Sequence, residues 1–199
     1  MTAIQIKRLY AKDTAKATEV LFAAFEGDPL MSYLFGDRYQ DLAGYTMQYV
    51  CDRANFLNLP LLGALVEDEL QGVALVIPPE ATERETPQLD EQFDIAVGEE
   101  VITRLETYLK IKEAYRPKQA HFYLDILGVL PKSQGRGIGK ALLKTIHKMS
   151  EESLQSCGVA LDTENESNVD LYRHFSYSVS TTNNLDNLKV WSMFRADSI

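Results

Sequence analysis

An apolar strand that runs straight into a glycine-rich helix start constrains this chain more than any other feature. Residues 121–131 read HFYLDILGVLP. Apart from Asp125, both alternate sets of side chains are largely apolar, so the strand needs cover on both faces and belongs inside a sheet. The following stretch, QGRGIGKALL (134–143), places glycine at 135, 137 and 139 directly ahead of a helical stripe formed by Ile138, Leu142, Ile146 and Met149. A strand clothed on both faces implies helices on both sides of a sheet, which is the α/β class.

The rest of the chain fills out that class. AIQIKRLY alternates as a strand, and Ala17, Val20, Leu21, Ala24 and Phe25 lie on one helix face, with Asp13 or Thr14 at its start and Gly27 and Pro29 at its end. A less regular helix spans 37–57, and LLGALVEDELQGVALVIP reads as a hairpin turning at Glu67-Asp68-Glu69. Residues 78–98 read as a loop, and Val101, Ile102, Leu105, Tyr108 and Leu109 mark a helix closed by Pro117. GVALDTE, NVDLYRHF, YSVSTTN and LKVWSMFR follow as strand, short helix and two strands. A mixed sheet in a single domain over 1–199 is the expected architecture, since 199 residues bury one core well and two poorly.

Charge and cysteine content exclude several classes. The net charge of −9 concentrates in residues 80–100, where eight acids face one base, Arg84, and the remainder is near neutral. No basic stripe with interleaved aromatics suggests nucleic acid. No run approaches the roughly 18 apolar residues of a membrane span, so a soluble, cytoplasmic protein is expected. Cys51 and Cys157 form no metal or disulfide pattern and are expected to be buried thiols.

The glycines raise the question of which phosphate they hold. A dinucleotide loop needs Gly-x-Gly-x-x-Gly early in the chain, and a triphosphate loop needs Gly-x-x-x-x-Gly-Lys-Ser/Thr. The spacing here is Gly-x-Gly-x-Gly, with Gln134 at the first glycine position of the triphosphate loop and Ala141 at its hydroxyl position. A helix start of this kind exposes backbone N–H groups that suit a pyrophosphate, with Arg136 and Lys140 at the rim. On the motif alone, a ligand-free turn between strand and helix fits equally.

The wider segment HFYLDILGVLPKSQGRGIGKALL resembles the acyl-CoA-binding core of the GNAT superfamily of N-acyltransferases, with Gln134, Gly137 and Gly139 at motif positions. LDTENESNVDLYRHFSYSV is similar to that family's second segment, in which an asparagine precedes a tyrosine by seven residues, here Asn165 and Tyr172. FAAFEGDPLMSYLF also looks like the start of many such proteins. The resemblance implies an N-acetyltransferase domain of about seven mostly antiparallel strands, splayed between the fourth and fifth, with the acyl-CoA core at about 119–182. It implies acetyl-CoA as co-substrate, with no metal, and a primary amine of a small molecule, protein or peptide as acceptor. A non-catalytic coenzyme A-binding module of the same fold is the alternative, and a homodimer through the final strands is compatible with the pattern.

The resemblance further places the pantetheine arm against Leu127 and Val129, and the pyrophosphate on the amides of Gln134, Gly135, Arg136, Gly137, Ile138, Gly139 and Lys140. Asn165 and Asn168 would steady the arm. Tyr172 would protonate the leaving thiolate. A protonated amine of pKa near 10.4 must also lose a proton, at roughly 4–5 kcal/mol near pH 7, so a base is needed. Asp125, Glu26, Asp28, Glu67 and His121 are candidates, and Asp125 is preferred because an acid in an apolar strand is expensive without a partner. The chain departs from the family where Ser176 replaces the usual glycine four residues after the tyrosine.

Overall fold

The computed structural model describes residues 3–81 and 84–198; Thr82 and Glu83, part of the acidic stretch, lie outside the described residues. In chain order the elements are β1 (Ile4–Arg8), α1 (Thr14–Ala24), α2 (Pro29–Phe35), α3 (Tyr39–Phe56), β2 (Leu61–Val66), β3 (Glu69–Ile77), α4 (Pro87–Val97) and α5 (Glu99–Tyr115). After them come β4 (Phe122–Val129), α6 (Ile138–Glu151), β5 (Gly158–Thr163), α7 (Glu166–His174), β6 (Ser178–Leu185) and β7 (Leu188–Ala196). The strands form one seven-stranded sheet in the order β1-β2-β3-β4-β5-β7-β6. Its pairings are antiparallel except β4–β5, which is parallel.

The two faces are covered by different helices. On one face, Leu21, Met47 and Val101 of α1, α3 and α5 join Leu61, Val73 and Leu75 of the sheet in one apolar cluster. On the other, Ile138, Leu142 and Ile146 of α6 and Val169 of α7 pack with Val76, Leu124, Val159 and Leu161. Ile138, Leu142, Leu143 and Ile146 are all fully buried. Each contributes about 1.5–3 kcal/mol, which anchors α6 and hence the glycine loop at its head.

Three local readings change. The stretch 78–98 is not simply a loop: Pro87 starts α4, whose Phe93 stacks on Tyr49 of α3 at 4.4 Å, so packing overrides the proline and acid content. Pro29 does not only end a helix. It is the first residue of α2, whose start is capped by the Asp28 carboxylate accepting from the N–H groups of Leu30 and Met31. Cys51 is buried, its thiol pushed up to about 12 by loss of water, but Cys157 is exposed just before β5. The hairpin turn is as expected, with Glu67 and Asp68 both at positive φ.

Candidate active site

The central feature is a fork in the sheet. The β4–β5 ladder consists of Phe122–Val159, Tyr123–Ala160 and Leu124–Leu161 and stops there, although β4 continues to Val129. The cause lies one residue further on. Between β3 and β4 the register skips Asp125, since Leu75 pairs with Ile126 and Val76 with Leu124. Such a bulge bends its strand and re-aims the residues after it. Leu127 and Val129 therefore edge an open cleft while their strand stays paired to β3 on its other side.

The floor of the cleft is the loop into α6. Gly135 and Gly137 have φ of 72° and 84°, a region other residues occupy only with strain, and Gly137 caps the helix in this conformation. The first intrahelical bond runs from Ala141 N–H to the Gly137 carbonyl, which leaves the N–H groups of Ile138, Gly139 and Lys140 without helical partners. Ile138 is 1% exposed, its side chain buried in the core beneath the loop. A β-carbon on Gly139 would touch Val129 and Leu127 at 3.8 and 3.9 Å, which fixes the loop against the β4 edge. Gln134 is engaged within the protein: its N–H donates to the Pro131 carbonyl and its side-chain amide to the Val129 carbonyl. Arg136 also lines a recess of about 330 Å³ with Lys132, Glu67 and Glu69.

At the end of β5, Asn165 caps α7 by accepting from the N–H and hydroxyl of Ser167, and the Asn168 N–H donates to the Asn165 carbonyl. Tyr172 of α7 is buried, with its ring 5.6 Å from that of Tyr177. Phe175 packs in the same cluster, whereas Leu171 is half exposed. Burial, followed by the charges of Glu164 and Asp28, pushes the Tyr172 phenol well above its usual value, so it holds its proton at neutral pH. Ser176 adopts the left-handed conformation with φ of 68°, and the Tyr177 N–H still reaches the Tyr172 carbonyl. The helix end survives the missing glycine.

The other bank is built from acids and α5. Asp125 pairs with Lys112 at 3.2 Å, and Lys112 also sits 4.8 Å from the centre of the Tyr123 ring. Asp162 accepts from Tyr123 and Ser192. Glu164, one residue beyond β5, accepts from the Tyr108 hydroxyl at 2.8 Å. Loss of water raises its carboxyl to about 7, with the nearby charges of Asp28 and Asp162 also raising it and the Tyr108 bond and Lys112 opposing. Neither Glu164 nor Tyr108 stands out in the sequence as a site residue. The one signal is an acid directly preceding the motif asparagine. Of the other acids and the histidine, Asp28 caps α2 near this bank, with its carboxyl raised by burial despite the opposing Leu30 and Met31 bonds. Glu26 is exposed and bonded by Gln40, Glu67 lies in the β2–β3 turn, and His121 bonds the Gln119 carbonyl at the far end of β4.

An interrupted parallel pair with a glycine-capped helix beneath it has known counterparts. Residues 92–179 match the family model described as an acetyltransferase (GNAT) domain. Over that stretch the chain is similar to a GNAT acetyltransferase domain. The matched span runs from α4 into β6 and so contains the fork, the glycine loop and Tyr172. The GNAT fold extends over the rest of the chain. A Corynebacterium glutamicum structure described as histone acetyltransferase HPA2 and related acetyltransferase is 19% identical, with a TM-score of 0.71 over 100% of this chain and 98% of that one. The Drosophila melanogaster polyamine N-acetyltransferase, which forms N-acetylagmatine, is 16% identical with a TM-score of 0.61, covering 98% and 100%. The Salmonella typhimurium putative acetyltransferase yncA, solved with acetyl-CoA, is 14% identical with a TM-score of 0.59, covering 100% and 96%. No curated protein sequence matches the chain. Among the described residues, no helix is long and apolar enough to cross a membrane.

Proposed function

We propose that this protein is an acetyl-CoA-dependent N-acetyltransferase, acting in the cytoplasm on a primary amine of a small molecule or peptide. The observation that supports the proposal is the fork itself: the β4–β5 ladder ends at Leu124–Leu161, the start of α6 leaves its amides free of helical partners, and buried Tyr172 feels the charge of Glu164, one residue past β5. The pantetheine arm extends the β4 edge at Leu127 and Val129. Its pyrophosphate lies on the amides of Gly135 through Lys140, where the helix dipole favours negative charge. Arg136 and Lys140 add charge outside, Gln134 braces the strand end, and Asn165 with Asn168 borders the arm. The acyl-CoA core is thus the stretch of about 119–182, and the unpaired outer edge of β6 is where a second copy would join.

The reaction is direct attack of the neutral amine on the thioester carbonyl. Tyr172 donates its hydroxyl proton toward the departing sulfur; because burial disfavours the phenolate, it acts first as a hydrogen-bond donor and yields the proton as thiolate charge develops. Asp125 lies at the mouth of the fork, and its ion pair with Lys112 suits it to orienting the amine more than to taking a proton.

Two measurements on the purified protein test this. Acetyl-CoA at a hundredfold excess over Kd stabilises the fold by about 2.7 kcal/mol, and ATP or NAD does not. Gly137→Val strains the helix cap at a position with open space around it, so the protein folds but loses that shift. An amine panel read by mass spectrometry, including agmatine and polyamines because one fold relative forms N-acetylagmatine, then gives mass gains of one acetyl group. A melting shift with no acetylated product would mean a binding module without transfer. Full acetyl-CoA affinity in Gly137→Val would remove the glycine loop from the site.

A further inference from the structure

We infer that Glu164 is the base that removes the proton from the acceptor amine, and that Tyr108 is the residue that positions it. The inference rests on the transferase reading above and names a residue that reading leaves open.

Glu164 directly follows the last residue of β5, across the fork from Asp125 and Val129. Alternation from Asp162 puts its side chain on the α5 face of the sheet, where the Tyr108 hydroxyl fixes Oε1. Oε2 accepts no hydrogen bond among the described residues, which leaves one oxygen of a held carboxylate free to act. The rivals are committed elsewhere. Asp125 is paired with Lys112, Asp28 spends Oδ1 on two amides of α2, Glu26 is exposed, and Glu67 and His121 lie away from the fork opening.

The groups facing Glu164 are Tyr108 and Lys112 from α5, Asp28 from the α1–α2 turn, Asp162 from its own strand and Tyr172 from α7. Its carboxyl, raised to about 7 chiefly by burial, is available as a base near neutrality and holds a captured proton well enough to be useful. Tyr172 is close enough for Glu164 to raise its phenol, so proton acceptor and proton donor share one end of the fork.

The step balances as follows. The ammonium form of the acceptor gives one proton to Glu164, and its nitrogen lone pair forms the C–N bond at the thioester carbonyl. The C–S bond breaks with its electron pair on sulfur, which takes the Tyr172 proton. A second N–H proton from the tetrahedral intermediate restores the phenol. Glu164 releases its proton to solvent, and free coenzyme A and the amide leave.

The test is the pH profile of kcat/KM for wild type, Glu164→Gln and Tyr108→Phe, with any amine the panel identifies. In wild type the rising limb sits near pH 7, set by Glu164, rather than near the roughly 10.4 of a free alkyl amine. Glu164→Gln keeps an oxygen for Tyr108 to bond and keeps the acetyl-CoA melting shift, but it loses about 10²–10⁴-fold in kcat/KM together with that limb. Tyr108→Phe removes a bond that favours the ionised carboxylate, so its limb moves to higher pH while the rate on the plateau stays closer to wild type. A Glu164→Gln enzyme within about threefold of wild type, or a wild-type limb at the amine's own pKa, overturns the assignment while leaving the transferase reading standing. Wild type that transfers to no amine overturns both.

Discussion

The two banks of the fork are made in opposite ways. The α6 bank is backbone: its donors are consecutive N–H groups, and their direction comes from two positive-φ glycines and a helix anchored by buried Ile138, Leu142 and Ile146. The α5 bank is side chain: Glu164, Tyr108, Lys112, Asp125 and Asp28 come from β5, α5, β4 and the α1–α2 turn, and they meet only in the folded chain. One bank suits a ligand with a fixed shape, the pyrophosphate. The other suits proton transfer, which depends on burial and neighbouring charge. The difference teaches that the binding and the chemistry proposed above would rest on separate pieces of the fold, so they should come apart on mutation.

The largest expected effect tests that separation at Tyr172, where the banks meet. Tyr172→Phe keeps the ring packed against Tyr177 and Phe175 and removes the hydroxyl. Turnover should fall by about 10²–10⁴-fold when transfer limits the rate, with acetyl-CoA affinity unchanged. Single-turnover kinetics beside a calorimetric titration measure both. A loss below about threefold would reduce Tyr172 to packing; a matching loss of affinity would join the two banks.

A smaller effect asks whether the α5 bank is costly to fold, as a site kept for chemistry often is. Because the folded-state pKa of Glu164 is raised to about 7 from 4.5, the folded protein retains a proton there that the unfolded chain has already released between those values. Stability therefore falls as pH rises through that window and stays reduced above it. Glu164→Gln removes the penalty and should stabilise the protein at pH 8 by up to about 3 kcal/mol, with little change at pH 4.5. His147, lowered to about 4 mainly by burial, acts the other way, destabilising as pH falls. It is present in both proteins and cancels in the difference. Urea unfolding at the two pH values is the measurement, and an equal difference at both would mean that Glu164 does not hold a proton.

The same contrast explains what the sequence reveals. The glycine loop was legible because its chemistry is local: residues 134–140 are contiguous and their φ requirements are written as glycines. Asn165 and Tyr172 were singled out by the resemblance, and the fold puts them at the cap and within the body of one short helix. Central placement of β4 followed from its apolar pattern, but the bulge at Asp125 did not, because bulges are set by the register of β3. Glu164 was missed because what distinguishes it, the Tyr108 hydroxyl and the exclusion of water, arrives from 56 residues away. Helix α4 was missed for a like reason, its Phe93 finding Tyr49 of α3 only in the assembled fold. Cys157 was misread because its general tendency to burial says nothing about a position on the turn into β5.

The smallest expected effect concerns the departure at Ser176, which touches the α7 end of the legible bank. Its φ of 68° costs a residue with a β-carbon roughly 1–2 kcal/mol, of which the extra entropy of an unfolded glycine would offset about 0.5–1 kcal/mol. Ser176→Gly should thus stabilise by about 0.5–1 kcal/mol, a rise in Tm of about 1–4 °C for a chain of this size. Turnover should change by less than about twofold, since 0.4 kcal/mol is that factor at roughly 0.59 kcal/mol of RT and the Tyr177 N–H bond to the Tyr172 carbonyl already holds the helix end in place. If the glycine variant instead gains turnover well beyond its gain in stability, the serine must be displacing Tyr172 from the thioester. The usual glycine would then serve the chemistry through the position of that hydroxyl, and the division between a backbone bank and a side-chain bank would fail at its one shared residue.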